Sequence, residues 1–170
     1  MATSSRTRTT KSEPKPGGRR GLVTSRDYPL EESIGFLVGV TNRKLQKVLD
    51  SRIAGSGVTS GTWHFMRVLW QEHGMSQAEL AKRVNTSAPT VNAALRKLQA
   101  AGLVVLDNDP NDGRRWNVHL TKKGQELEEK LLPLLAETNQ MLGAGLTRAE
   151  VAEFKRMLAI LQANAEAALG

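Results

Sequence analysis

The chain contains no cysteine, which removes disulfides, thiolate-based peroxide sensing and cysteine-ligated zinc together. Its longest apolar stretches fall well short of the roughly 20 residues that cross a bilayer, and no apolar segment stands near the start. No membrane partner and a cytoplasmic location are therefore expected. Signatures of catalysis are missing as well: no G-x-S-x-G elbow, no phosphate-binding loop, no H-E-x-x-H pair and no carboxylate dyad. We expect no enzyme and no cofactor. The three histidines, His64, His73 and His119, are too scattered for a metal cluster, and only Glu72 beside His73 keeps a metal-responsive alternative open. Aromatic residues make up only 4%, and Trp63, Trp70 and Trp116 are expected in the core, with Trp63 the first exception to look for.

What is present is 170 residues with 39% apolar content, a length that fits one domain with a real core. The net charge of +7 is concentrated at one end, because residues 1–26 hold seven basic side chains against Glu13 alone. This segment of Ser, Thr, Pro, Gly and Arg cannot bury enough surface to offset its ordering entropy. A basic, disordered arm over 1–26 is expected, either solubilising or tracking DNA phosphates. Its composition suits a transit peptide too, but Pro14, Pro16, Gly17 and Gly18 interrupt any amphipathic helix.

The informative block is 75–124. Ser76 and Glu79 have capping-box spacing, flanked by Met75 and Leu80 as a hydrophobic staple, and Leu80, Ala81 and Val84 form the buried stripe of a short helix. Asn85, Thr86 and Ser87 read as a turn, after which a second helix starts at Ser87 with Pro89 in its first turn. Val91, Ala94, Leu95 and Leu98 keep i, i+3, i+4, i+7 spacing, leaving Ser87, Thr90, Asn92, Arg96 and Lys97 on other faces. Gly102 supplies the left-handed stop. A strand over 103–106 follows, then a polar loop over 107–115, then a strand over 116–120 in which Trp116, Val118 and Leu120 alternate with Asn117 and His119. Two short helices and a hairpin tipped with glycine and arginines make a winged helix-turn-helix, whose shape calls for duplex DNA.

Outside this block, residues 31–53 carry Ile34, Leu37, Val38, Leu45, Val48 and Leu49 at helical spacing, and 60–73 is a second helix with Trp63, Met66, Leu69 and Trp70. A long helix begins at Thr121, with Pro133 predicting a kink rather than an end. Lys122, Lys123, Glu128 and Glu129 read as its solvated faces. Thr147 and Glu150 form another capping box, opening a last helix to about Ala165 with Val151, Phe154, Leu158 and Leu161 inward. This much amphipathic helix exceeds what a small winged domain needs to cover itself, and a homodimer absorbs the surplus. The expected fold is mainly α with a small β-hairpin wing.

The block resembles the MarR (multiple antibiotic resistance regulator) family of transcription factors. Its wing pattern is matched by Asp109, Pro110, Asp112, Arg114, Val118, Leu120, Thr121 and Gly124, and Val58-Thr59 with 63–69 is similar to the family's second helix. The likeness extends loosely over 30–165, with Gly113 standing where an arginine is frequent and Arg115 following the motif. It implies a domain over 27–170, with a DNA-reading winged helix at 58–121 and dimerisation helices at 30–53 and 121–166. It further implies a homodimer on an inverted-repeat operator, with Asp112 buttressing the wing and Arg114, or Arg115, in the minor groove. The function implied is a sequence-specific regulator, most simply a repressor released by a small molecule; a nonspecific architectural DNA binder is the rival. By the resemblance, an effector pocket lies between the dimer helices and the reading head. Phe36, Arg43, Trp63 and His64 are near those segments, and an aromatic face beside a guanidinium suits a small aromatic carboxylate.

Overall fold

The computed structural model describes residues 28–109 and 112–170, excluding the side chains of 109 and 112–115. The arm expected over 1–26 lies outside the described residues. The chain forms two compact units, Met1–Thr41 and Asn42–Gly170. In the first, a 3-10 turn at Leu30–Glu32 leads into the helix α1 (Ile34–Arg52), with the Phe36 amide donating to Ser33 Oγ at 3.3 Å.

The second unit is built around α2 (Ser60–Gln71), β1 (Met75–Ser76), α3 (Gln77–Val84), α4 (Ala88–Ala100), β2 (Val104–Asp109), β3 (Asp112–Leu120), α5 (Lys122–Leu142) and α6 (Arg148–Leu169). The strands form one antiparallel sheet in the order β1-β3-β2. Its core lies between residues 53 and 131, where Met66, Leu69, Leu80, Leu98, Leu103 and Val118 are fully enclosed. They come from α2, α3, α4, β3 and the turn before β2, so three helices and the sheet share one apolar interior.

Local chemistry explains the element ends. Thr59 and Thr62 reciprocally cap α2, and Asp50 accepts from both the Ser60 amide and the Ser60 hydroxyl, at 2.6 and 2.8 Å. Arg52, two residues on, pairs with Glu137 at 3.1 Å and reaches the buried Thr138 of α5. The last turn of α1 thus ties α2 to α5. Thr121 caps α5 as expected, and the helix runs unbroken through Pro133.

Three expectations are corrected. Segment 107–115 is strand over most of its length, with β2 continuing to Asp109 and β3 beginning at Asp112 and an irregularity in the ladder at Asn108–Asp109. A ladder is held by backbone amides and carbonyls, which polar residues supply as well as apolar ones, so the missing alternation signalled lack of burial rather than lack of strand. Second, the exposed tryptophan is Trp116, at 46%, whereas Trp63 is 3% exposed and meets Trp70 edge-on at 5.7 Å. Third, α6 extends to Leu169 and has no buried residue; Phe154, read as inward, is 50% exposed. Its apolar residues have no full cover within the described chain.

Candidate nucleic-acid interface

The short helix α3 is fixed at its start by the expected box: the Glu79 amide donates to Ser76 Oγ at 3.2 Å, and the Ser76 amide donates to Glu79 Oε2 at 2.8 Å. Met75 and Leu80 are both buried beside it. Its end is set by Asn85, whose φ of 53° is left-handed, a conformation asparagine tolerates better than most residues. The Thr86 amide then donates back to Ala81 O at 2.9 Å, and the chain reverses into α4 within three residues.

Ser87 is the N-cap of α4, but its hydroxyl bonds to Thr90 Oγ1 at 2.9 Å instead of capping a backbone amide. Pro89 fits because amides of the first turn have no intrahelical acceptor. As the spacing predicts, Val91, Ala94, Leu95 and Leu98 are buried, anchoring α4 to α2, α3 and the sheet. Ser87, Thr90, Asn92, Arg96 and Lys97 are all exposed. Arg96 Nε donates to the Asn92 carbonyl at 3.3 Å, laying the guanidinium stem along the helix. There is no acid on α4, and neither Arg96 nor Lys97 has an acidic partner among the described residues. The face therefore offers hydroxyl, amide and guanidinium groups with a positive bias, the set that reads base edges and holds phosphates.

The C-terminus of α4 is closed by a full Schellman motif: Leu103 N donates to Leu98 O and Gly102 N to Gln99 O, both at 2.9 Å, with Gly102 at φ +68°. Two later side chains donate to the carbonyls just beyond the helix. Lys123 Nζ donates to Ala101 O and Thr121 Oγ1 to Gly102 O, both at 2.7 Å. Lys123, exposed as expected, is thus also a cationic cap on α4, favourable at the negative end of the helix dipole. The sequence carried no signal for that role because the two residues meet only through the tertiary fold.

The wing is the β2–β3 ribbon. Asp112, Arg114 and Arg115 lie on the β3 backbone, and their side chains are outside the described set, as are Pro110 and Asn111 altogether. On α3, Arg83 is paired with Glu72 at 2.7 Å, so the Glu72–His73 pair considered for a metal already holds a guanidinium. Among the described residues no three His, Asp or Glu side chains come together. Of the residues expected to bind an effector, Arg43 and His64 are exposed, Trp63 is in the core, and Phe36 is half-buried in the other unit.

Residues 56–115 match the sequence model of the MarR family. An HTH-type transcriptional repressor of Mycobacterium tuberculosis is 30% identical over 125 residues, which span 74% of this chain and 90% of that protein. Among solved structures, the S. aureus MepR-DNA complex is similar with a TM-score of 0.72 and 25% identity, over 78% of this chain and 98% of the other. The PcaV transcriptional regulator from Streptomyces coelicolor, in complex with its natural ligand, gives a TM-score of 0.71 and 25% identity, over 85% and 99%.

Proposed function

The chain belongs to the MarR family of DNA-binding transcriptional regulators, and we propose on that premise that it is a homodimeric repressor reading an inverted repeat and released by a small aromatic acid. The observation that carries the reading is the outward face of α4, exposed and free of acid, held by a buried stripe and a doubly capped C-terminus. In this reading Thr90, Asn92 and Arg96 meet base edges while Ser87 and Lys97 meet phosphates. The wing would then place Arg114, with Arg115 beside it, in the narrow minor groove, and Asp112 would buttress the turn.

The dimer is supported by apolar surface left over in one chain. Leu142, Leu146, Phe154, Met157 and Ile160 are each about half exposed, and a 22-residue helix that buries none of its residues is not accounted for by its own chain. A two-fold axis through such helices would set two copies of α4 about 34 Å apart, one helical turn of duplex. The name of the M. tuberculosis relative supports repression, and the PcaV complex with its natural ligand supports a small-molecule effector. The exposed Arg43 guanidinium would pair with the carboxylate of such a ligand. Release requires the ligand to bind the DNA-free conformation better than the bound one.

Selection from a random duplex pool tests the reading. An enriched inverted repeat with half-sites about 10 bp apart, bound by two chains, is expected. Uniform binding to every sequence would make the protein architectural instead. Aromatic acids added to the preformed complex test the effector, and no release at about millimolar ligand, roughly 4 kcal/mol of binding, would remove it.

A further inference from the structure

The wing carries a large aromatic side chain that the fold does not cover. Across β2 and β3, Val104 pairs with Leu120, Leu106 with Val118 and Asn108 with Trp116, so these six residues share one face of the sheet. Val104, Leu120 and Val118 are buried and Leu106 partly so, but Trp116, one pleat further out, is 46% exposed. Between α4 and β2 lies a groove of about 320 Å³ lined by Gln77, Asn92, Leu95, Arg96, Gln99 and Leu106, the last on the same sheet face as Trp116. Leu106 is one pleat from the Asn108–Trp116 pair, and Gln77 follows Ser76, which pairs with Asn117. The groove's polar lining is three amides and a guanidinium with no carboxylate, and Arg114 and Arg115 directly precede Trp116 in sequence.

We propose that Trp116 and this groove hold the DNA sugar–phosphate strand that crosses from the major groove, read by α4, to the minor groove, entered by the wing. This rests on the docking described under Proposed function, in which one backbone must pass between helix and hairpin. Such a strand alternates anionic phosphate with apolar deoxyribose. Gln77 and Gln99 donate to the phosphate, Asn92 and Arg96 on the same wall stay turned to the base edges, and the indole packs on the sugar with its Nε1–H able to donate to the next phosphate oxygen. Trp116 is therefore a contact that fixes the depth and tilt of the wing, and it carries no sequence preference of its own. Because it neutralises no charge, it contributes affinity without contributing to the salt dependence.

The test is an anisotropy titration of the full chain against a selected operator and a mixed-sequence duplex of about 30 bp, across a salt series. Trp116→Ala should weaken both complexes by the same factor, roughly fivefold or more by analogy with other aromatic contacts to nucleic acid, with the salt slope unchanged. Trp116→Phe should recover most of the loss, and Trp116→Glu should lose more than Trp116→Ala. Being exposed, these positions should leave the thermal midpoint within a few degrees of the parent, which excludes misfolding as the cause. Duplex should also quench tryptophan emission in the parent and not in Trp116→Phe, since Trp63 is buried and Trp70 Nε1 is bonded to Gly124 O. If Trp116→Ala and Trp116→Glu bind as the parent does while Arg96→Ala binds weakly, the proposal fails and the docking stands. If Arg96→Ala is also unaffected, the docking itself fails. Emission that responds to a free aromatic acid and not to DNA would make Trp116 a ligand platform and overturn the assignment.

Discussion

Gly124, the glycine that closes the wing motif, sits in the first turn of α5 where that helix presses on the start of β2. A Cβ added there would overlap the Leu103 carbonyl oxygen and stand 3.2 Å from Leu120 Cδ2. The Leu103 oxygen already accepts from the Thr121 amide at 3.0 Å, and Gly124 O accepts from Trp70 Nε1 at 2.9 Å. Gly124→Ala must therefore shift backbone against backbone, with no flexible side chain to yield. Overpacking of this kind costs about 1–3 kcal/mol. Weakening two bonds adds about 0.5–1.5 kcal/mol each. Against this stands a gain of up to about 1 kcal/mol in helix propensity. The net expectation is a loss of about 3 kcal/mol, which at this chain length lowers the melting midpoint by roughly 6–12 °C. Urea unfolding followed by circular dichroism measures it, and DNA affinity should fall in parallel because the base of the wing moves. The opposing terms make the sign decisive: a variant as stable as the parent, or more stable, would refute the close-approach argument.

Other regions yield separate outcomes. Phe154→Asp places a charge on the uncovered face of α6 and should convert the proposed dimer to monomer in sedimentation velocity, with DNA affinity falling sharply; a variant that stays dimeric would move the interface elsewhere, and a parent that is already monomeric would remove the dimer. Deleting 1–26 should reduce the slope of log K against log salt by about 0.9 for each phosphate contact the arm makes, and an unchanged slope would leave the arm a solubilising segment. The backbone amide of Thr147, and then its hydroxyl, hold the Glu150 carboxyl below its ordinary value of 4.5. Because the folded value is depressed, the capping box stabilises fully above that ordinary value and its carboxylate part is lost as pH falls through the folded value. The stability cost of Thr147→Ala should thus be larger at neutral pH than at about pH 3, and an equal cost at both would contradict the sign.

Features written in local spacing were legible in the sequence. The boxes at Ser76–Glu79 and Thr147–Glu150, the stop at Gly102 and the buried stripe of α4 all depend on residues within seven positions of one another, and all formed as spacing dictates. What escaped depends on distant partners. The two-residue strand β1 exists only because Met75 and Ser76 meet Val118 and Asn117. Lys123 caps a helix ended 22 residues earlier. Period-two alternation placed Trp116 with Val118 and Leu120 on one face, correctly, yet could not say how far the helices reach along it. The capping pair Thr59–Thr62 was missed for a different reason, since threonine replaces the usual acidic or amide partner at the third position.

The central claim is that α4 reads DNA sequence. Its most direct test is the ratio of operator to scrambled-duplex affinity at one fixed salt concentration, for the parent and for Asn92→Ala. A lost base contact costs about 1–3 kcal/mol on the correct sequence alone, so the account predicts a ratio lowered roughly 5- to 150-fold with scrambled binding unchanged. Equal weakening on both duplexes, leaving the ratio intact, would make the Asn92 face a phosphate contact and contradict sequence reading by this surface of α4.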